Sequence, residues 1–256
     1  MSRHITRTAH GTLTRIATAT VAAGLAGAAA LSMVLGPVSS EAASASTPTL
    51  PRLSSSSAGI TSRSWAGYEV QSGTYTSVSA SWTQPAIKPA ASRHIAVFWV
   101  GLDGAQSSTV EQCGTLGQTE NGKTTYQAWY EMYPASWVVF SNAPVAPGDH
   151  MQATAAYNQG RYSLTVSDHT QGWTHTARKH AAGLARSSAE VIAEAPTVDG
   201  NAGPLADFTP VTFSDITVNG APVNNPIPIT MISPAGQTVT SVCGFTGGSF
   251  TATPEM

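Results

Sequence analysis

The sequence predicts an all-β domain, and two features of its composition favour this class. From Trp65 onward, runs of about five to ten residues are rich in Val, Thr, Ser, Tyr and Trp. Short clusters of Gly, Pro, Asn and Asp separate these runs. Many short strands with regular turn signals are typical of a β-sandwich or a β-barrel.

Six runs are the clearest strand candidates. They cover residues 76–83, 94–101, 124–132, 151–157, 162–168 and 208–218. Turns are expected at Ser72-Gly73, Pro147-Gly148, 158–160, Gln171-Gly172, Asn219-Gly220 and 234–236. The best helical candidate, 181–186, is too short to be stable alone. We find no internal repeat and no domain boundary after residue 63.

The first 45 residues have the pattern of a secretory signal peptide, which predicts an extracellular protein. Three arginines near the start precede an apolar run at 16–36, and small residues at 43–45 supply a cleavage site. The alternative is a membrane anchor, since the run could just span a bilayer. Its Ala, Gly and Thr content favours the signal peptide. Residues 46–62 follow as a linker or short pro-segment, and 63–256 form the folded domain.

The charge of the mature chain excludes some classes of partner. From Ser64 onward there are seven Lys and Arg residues against thirteen Asp and Glu, a net charge of about −6. Nucleic acid and an anionic membrane are poor partners for such a surface. We expect a monomer without either partner once the signal is removed.

Cys113 and Cys243 are the two cysteines of the chain. In a secreted protein, a pair suggests one disulfide between the middle of the domain and its C-terminal part. The alternative is two separate thiols. Neighbours on a strand point to opposite faces, so Cys113 does not act with Gln112.

Two segments about 80 residues apart carry the most useful polar groups. Gln112 lies in the run at 110–114, which follows 98–104, and Glu194 ends the run at 189–194. A carboxylate can deprotonate water, and an amide N–H can stabilise an oxyanion. Glu190 shares the strand face of Glu194, but four residues of strand separate the two by about 13 Å, too far to share a proton.

Aromatic and acidic side chains alternate onto common strand faces near these groups. Each aromatic alone fits an ordinary core, but ionisable groups are rarely buried without a reason. The combination favours a substrate groove or a sugar-binding platform. Its members are Trp65, Trp99, Asp103, Trp129, Glu131 and Tyr133.

Other common sites are absent from the sequence. There is no Gly-x-Ser-x-Gly elbow and no Asp-Thr/Ser-Gly loop. The separations between His169, His175 and His180 match no zinc spacing, and we find no phosphate-binding glycine loop. We therefore expect no metal and no cofactor.

Six motifs, in order and spacing, resemble those of the glutamic peptidases called eqolisins. They are Ser-Trp-Ala-Gly at 64–67, Thr-Ser-Val-Ser-Ala at 76–80 leading to Pro85, Phe-Trp-Val-Gly-Leu-Asp-Gly at 98–104, Val-Glu-Gln-Cys-Gly at 110–114, Ala-Trp-Tyr-Glu-Met-Tyr-Pro at 128–134 and Ala-Glu-Val-Ile-Ala-Glu at 189–194. The resemblance implies a sandwich of two antiparallel sheets, lectin-like and bent to form a concave cleft. Leu116 and Gln127 depart from it, because fungal members carry aspartates there, and those members hold more cysteines.

The resemblance also implies an acid endopeptidase that acts on polypeptides. The family's catalytic pair falls on Gln112 and Glu194, and the aromatic–acidic set above falls on positions that line the family's cleft. Two alternatives stay open: a non-catalytic carbohydrate-binding sandwich that uses Trp65, Trp99 and Trp129, and a glycosidase that uses Glu131 with Glu194.

The signal-peptide prediction is tested by the intact mass of protein secreted from an expression host. We expect an N-terminus at or after Ser46, because cleavage follows the small residues at 43–45. A secreted product that retains the apolar run would contradict the assignment.

Overall fold

The computed structural model describes residues 54–56, 59–105, 107–198 and 201–255. The predicted signal peptide lies outside the described residues, as does most of the predicted linker. Within the described part, no helix has the length and apolar character needed to cross a membrane.

All regular structure in the described residues is β-strand, which confirms the all-β prediction. The strands are β1 Ser54–Ser56, β2 Gly59–Ser62, β3 Trp65–Gln71, β4 Ser77–Thr83, β5 His94–Leu102, β6 Val110–Glu120, β7 Lys123–Tyr133, β8 Val138–Val139, β9 His150–Asn158, β10 Arg161–Asp168, β11 Trp173–His180, β12 Ser188–Glu194, β13 Thr197–Val198, β14 Asn201–Ala202, β15 Val211–Val218, β16 Ala221–Pro222, β17 Ile227–Ile232, β18 Thr238–Val242 and β19 Phe250–Pro254.

The strand pairings describe one ribbon of sheet that folds into two layers. The first layer runs β8-β7-β6-β5-β12-β3-β17, and all its pairings are antiparallel. The second runs β11-β10-β9-β4-β15-β19-β18, also antiparallel. A pairing between β17 and β18 joins the layers along one side. This is the predicted sandwich of two antiparallel sheets.

The main core fills the space between the layers. It packs side chains such as Phe98, Val100 and Cys113 of the first layer with Trp82, Phe213 and others of the second. Strand β4 shows the alternation of a strand with one buried face. Strand β5 is buried along both faces, because a second apolar cluster covers its outer side.

The six predicted strands are confirmed, with ends that agree or shift by at most three residues. The predicted turn at Gln171-Gly172 closes the hairpin of β10 and β11, where Asp168 pairs with Trp173. The helical candidate at 181–186 is wrong. It is an irregular loop, in which Gly183 and Arg186 take left-handed backbone angles that interrupt any helix.

The predicted linker ends earlier than residue 62. Residues 59–62 form β2, which pairs in parallel with β17 so that Ile60 lies beside Ile229. Ile60 is buried in the outer apolar cluster, and the Ser62 hydroxyl accepts hydrogen bonds from the N–H groups of Ser64 and Trp65. These contacts hold the start of β3 in place.

Strand β11 forms one end of the ribbon and pairs with β10. It carries His175, Arg178, Lys179 and His180, and Lys179 lies 4.9 Å from the centre of the Tyr130 ring. Charged side chains on an edge strand hinder pairing with other chains. The strand is therefore a protected edge.

Six carboxyl groups are buried in the described part of the fold without an ion-pair partner there, and three of them are glutamates. Burial raises the pKa of Glu69 to about 7, and burial together with the nearby charge of Asp103 raises that of Glu111 to about 8. Burial also raises the pKa of Glu190, helped by the charges of Glu69 and Asp103. Each group is therefore most compatible with the fold when it is protonated.

These carboxyls predict a fold that loses stability as pH rises. The folded pKa of Glu111, about 8, lies above its ordinary value of 4.5. The folded state therefore holds this proton more tightly, and stability falls between those two pH values, by about 1.4 kcal/mol for each unit of pKa shift. We expect the thermal midpoint, followed by circular dichroism, to drop across this range and to drop less in Glu111→Gln. A midpoint that rises with pH in this range would contradict the argument.

Candidate active site

Two glycines of the first layer lie directly beside Trp99. Gly114 pairs with Trp99 across β5 and β6, and a Cβ there would lie 2.0 Å from the carbonyl oxygen of Phe98. A Cβ on Gly101 would lie 2.8 Å from the Trp99 ring. Gly114 therefore lets β6 approach the backbone of β5 closely at Trp99, and Gly101 leaves space for the indole.

Trp99 then fixes the carboxyl group of Glu194 on β12. The indole Nε1 of Trp99 donates a hydrogen bond of 2.6 Å to Oε2 of Glu194, and Trp65 packs edge-on against Trp99 with ring centres 5.2 Å apart. Burial raises the pKa of Glu194 to about 7; hydrogen bonds from Trp99 and Trp65 oppose the rise, and the charge of Glu131 adds to it. Glu194 is therefore held by two indoles and electrostatically coupled to Glu131.

Gln112 on β6 is held by Glu131 on the neighbouring strand β7. It pairs with Glu131 across β6 and β7, and its Nε2 donates a hydrogen bond of 2.6 Å to Oε2 of Glu131. Burial raises the pKa of Glu131 to about 7, while Gln112 and the backbone N–H of Trp137 lower it by hydrogen bonding. Oε1 of Gln112 has no hydrogen-bond partner among the described residues.

The sheet register places these three groups on one face. Gln112 and Glu131 are cross-strand partners, so their side chains project to the same side. Glu194 pairs with Val97 of β5, which pairs with Leu116 of β6. Val97 and Leu116 belong to the outer apolar cluster, so Glu194 projects to that face too. Glu131 thus contacts Gln112, and its charge raises the pKa of Glu194, while the close approach of Gln112 and Glu194 to each other stays a prediction.

The predicted aromatic residues form the floor of this face. Trp65 is 4% exposed, Trp99 0% and Trp129 3%, while Tyr133 and Glu131 are partly buried. Nε1 of Trp129 is buried and has no hydrogen-bond partner among the described residues. The floor is apolar, with a few polar atoms left free to bind.

Asp103 takes a different place from the one expected. It is fully buried, and its carboxylate accepts hydrogen bonds from the backbone N–H groups of Arg186 and Ser187, at 2.6 and 2.8 Å. Ser187 Oγ donates a third, at 3.2 Å. These bonds hold the loop that enters β12, so Asp103 positions the strand of Glu194 and does not line the open cleft.

The tentative disulfide is wrong for this structure, because both cysteines are free. Cys113 is buried between the layers, and its thiol donates to the carbonyl oxygens of Thr154 and Thr165. Cys243 is exposed and accepts a hydrogen bond from the N–H of Thr251. Burial raises the pKa of Cys113 to about 12, which makes its thiol unreactive.

Two residues beside the site were not singled out from the sequence. Trp137 is 41% exposed, and its ring centre lies 6.2 Å from that of Trp129. Val139 pairs with Trp129 and is 42% exposed. The sequence does contain an uncharged Trp-Val-Val run shortly after the predicted strand at 124–132. A strand of two residues, however, is too short to show a periodicity.

A two-layer β-sandwich with a carboxamide and two carboxyls clustered on one outer sheet face has the architecture predicted from the six motifs. The chain belongs to the Peptidase A4 family, whose sequence profile matches residues 63–251. This confirms the resemblance to the glutamic peptidases.

Individual relatives agree with this assignment. The chain is 31% identical over 178 residues to aspergillopepsin-2 of Aspergillus niger, an alignment that covers 60% of this chain and 63% of the relative. It is 29% identical over 165 residues to scytalidopepsin B of Scytalidium lignicola, covering 60% and 62%. The matches thus span less than two thirds of either relative.

A solved structure is similar over a larger share of its length. The fold superposes on that of scytalido-glutamic peptidase, solved with a transition-state analog inhibitor, with a TM-score of 0.66 and 26% identity. The superposition covers 75% of this chain and 98% of that one. The likeness therefore extends through the whole sandwich.

Removing the charge of Glu131 should lower the pKa of Glu194. Glu131→Gln keeps an acceptor for Gln112 but deletes the negative charge that helps raise the Glu194 pKa to about 7. We expect the carboxyl carbon of Glu194, followed by NMR, to titrate at lower pH in this variant. Glu111→Gln is the control. An unchanged or higher Glu194 pKa in Glu131→Gln would refute the coupling.

Proposed function

We propose that the protein is a secreted endopeptidase in which Glu194 and Gln112 form the catalytic pair. The observation that carries the proposal is the shared sheet face on which Gln112, Glu131 and Glu194 are linked by one hydrogen bond and one charge interaction. Family membership supports a peptidase. The similar fold of scytalido-glutamic peptidase, which was solved with a transition-state analog inhibitor, supports it further.

Glu194 acts as the general base. In its ionised form it deprotonates a water molecule, which attacks the carbonyl carbon of the scissile bond. The indoles of Trp99 and Trp65 hold its carboxylate by hydrogen bonds and fix its direction. Glu194 then returns the proton to the leaving nitrogen.

Gln112 acts on the oxyanion. Its amide nitrogen carries two N–H groups, and Glu131 accepts from that nitrogen. The second N–H is available to the oxygen of the tetrahedral intermediate, where a preorganised donor is most effective. Glu131 thus orients the amide.

The two carboxyls determine the pH range. Each pKa is raised mainly by burial, and the charge of Glu131 raises that of Glu194 further, so the pair holds on to its protons as a unit. Two indole donors favour the charge on Glu194, so Glu194 is the carboxyl that ionises first as the pH rises towards 7. Activity therefore falls as the pH drops below about 7, where both carboxyls become protonated.

The carbohydrate-binding alternative finds less support. Sugar platforms present open indole faces, but Trp65, Trp99 and Trp129 are at most 4% exposed. Their rings serve the floor and the hydrogen bonds of Glu194. The proposed partners are therefore polypeptides, and the proposed location is outside the cell, with the chain as a monomer.

The catalytic pair is tested by two substitutions. We expect Glu194→Gln to lower the rate of cleavage of denatured casein by about 10²–10⁴-fold, because the general base is lost. Gln112→Met, which removes the amide at similar length, should cost about 10²–10³-fold. Both proteins should keep the wild-type circular dichroism spectrum.

Control assays separate the alternatives. Pepstatin is included to exclude contaminating aspartic peptidases, and retention on polysaccharide columns is measured in parallel. Casein cleavage by Glu194→Gln at the wild-type rate would contradict the role of Glu194 as general base. Polysaccharide retention or sugar release without peptide products would favour the carbohydrate alternatives.

A further inference from the structure

A buried carboxyl group lies on the reverse side of the strand that carries the proposed oxyanion residue. Glu111 precedes Gln112 on β6, and adjacent residues of a strand project to opposite faces. Its cross-strand partner Leu102 belongs to the core between the layers, so Glu111 points into that core, where it is fully buried. A carboxyl group is rarely kept in such a place without a role.

The polar contact of Glu111 is the carboxyl group of Asp103. Burial raises the pKa of Glu111 to about 8, and the charge of Asp103 and a hydrogen bond between the two carboxyls add to the rise. The hydroxyls of Thr109 and Tyr162 lie near enough to oppose it, but neither is aligned to donate a hydrogen bond to the buried oxygens of Glu111. A carboxylate cannot donate, so a bond between two carboxyls requires a proton on one of them.

The contacts of Asp103 assign this proton to Glu111. Oδ1 of Asp103 accepts hydrogen bonds from the N–H and the hydroxyl of Ser187, and Oδ2 accepts one from the N–H of Arg186. A carboxyl that serves three donors is in its ionised, acceptor form. Glu111 is therefore the protonated partner, and its O–H is a fourth donor to Asp103.

An ionised Glu111 has no cation to pair with in the described part of the fold. Facing it from the second layer is Tyr162 on β10, whose pKa is raised by its own burial and by the charge of Glu111. The guanidinium of Arg186 stacks over the ring of Tyr157, 3.8 Å from its centre, and its charge acts on Tyr162. Loss of the Glu111 proton therefore leaves a buried charge against the carboxylate of Asp103.

The place of Glu111 near the start of β6 determines how the fold responds to that charge. The strand begins at Val110, so Glu111 is its second residue. An ionised carboxyl in the core must reach water, and the least costly route is local release of the start of the strand from its neighbours. That start includes Gln112, whose amide is held by pairing with Glu131. Ionisation of Glu111 therefore displaces Gln112.

We propose that the protonated carboxyl of Glu111 positions Gln112, and that loss of this proton sets the upper pH limit of the peptidase. This inference rests on the proposed function, which it deepens by naming how the site is regulated. Glu194 sets the lower limit because it must be ionised to act as a base. Glu111 sets the upper limit because it must be neutral, and it acts from the inner face through Gln112.

Glu111→Gln tests the proposal, because its amide still donates to Asp103 but cannot ionise. The measurement is kcat/KM for one peptide that the wild type cleaves, followed from about pH 6 to about pH 10. In the wild type, kcat/KM should fall about 10-fold for each pH unit above about 8, because each unit lowers the protonated fraction of Glu111 by that factor. In Glu111→Gln, this fall should move up by about one pH unit or more, while kcat/KM near the optimum stays within about twofold of the wild type.

Glu69→Gln is the matched control. Glu69 is 1% exposed, and burial raises its pKa to about 7, but it lies on β3, which β12 and β5 separate from β6. We expect this variant to show the same fall in kcat/KM as the wild type. A pH range extended equally by both variants, or left unchanged by Glu111→Gln, overturns the proposal.

The nitrogen signal of the Gln112 side-chain amide, followed by NMR, separates positioning from general stability. In the wild type we expect one step near pH 7 from Glu131, which accepts from this amide, and a second near pH 8 from Glu111. Glu111→Gln should remove the second step alone; if this variant does not fold, the second step in the wild type decides. Circular dichroism should stay native through that step. Activity that falls only together with the circular dichroism signal overturns the positioning role.

The two measurements also distinguish this inference from the proposed function. If the wild type cleaves no peptide, or Glu194→Gln cleaves as well as the wild type, the peptidase mechanism fails and the upper pH limit fails with it. If cleavage depends on Glu194 but neither the upper limit nor the Gln112 signal follows Glu111, only the positioning role is wrong.

Discussion

The hydrogen bond from the Trp99 indole to Glu194 is the interaction on which the rest of the site depends. It places a carboxyl at a fixed point on a sheet face whose floor is mostly apolar. The indole can lie there because Gly101 leaves space beside it, and Trp65 packs against its edge. A carboxyl in such surroundings needs a strong donor, since burial of an unpaired charge is costly. The same contacts that pack the Trp99 indole therefore also fix the position of the Glu194 carboxyl.

Proton binding links the site to the fold. Glu131 and Glu194 favour protonation mainly because they are buried, and so do Glu69, Glu111 and Glu190 farther along the same layer. Leu116 strengthens this tendency, because an apolar side chain occupies the cross-strand row of Glu194. The resemblance places an aspartate at this position in fungal members, so the local electrostatics here differ from theirs.

Alternation along one strand was enough to predict that Gln112 and Cys113 point to opposite faces, while the pairing of Gln112 with Glu194 came from the resemblance. The hairpin turn at Gln171-Gly172 was also predictable, because the residues that favour a turn act locally. What these local patterns missed depends on contacts between distant segments. The burial of Asp103 results from the loop at 186–187, which no periodicity describes. The pairing of Ile60 with Ile229 is parallel and joins the two ends of the domain.

The basic edge strand β11 has a consequence for colloidal behaviour. In an acidic medium most carboxyl groups of the surface become neutral, and the repulsion between negatively charged molecules disappears. Arg178 and Lys179 remain positive and lie along the exposed border of the second layer. When two molecules approach through this border, like charges meet before backbone groups can pair. The few cations of this chain thus stand where they help to keep separate copies dispersed as the anionic surface is lost.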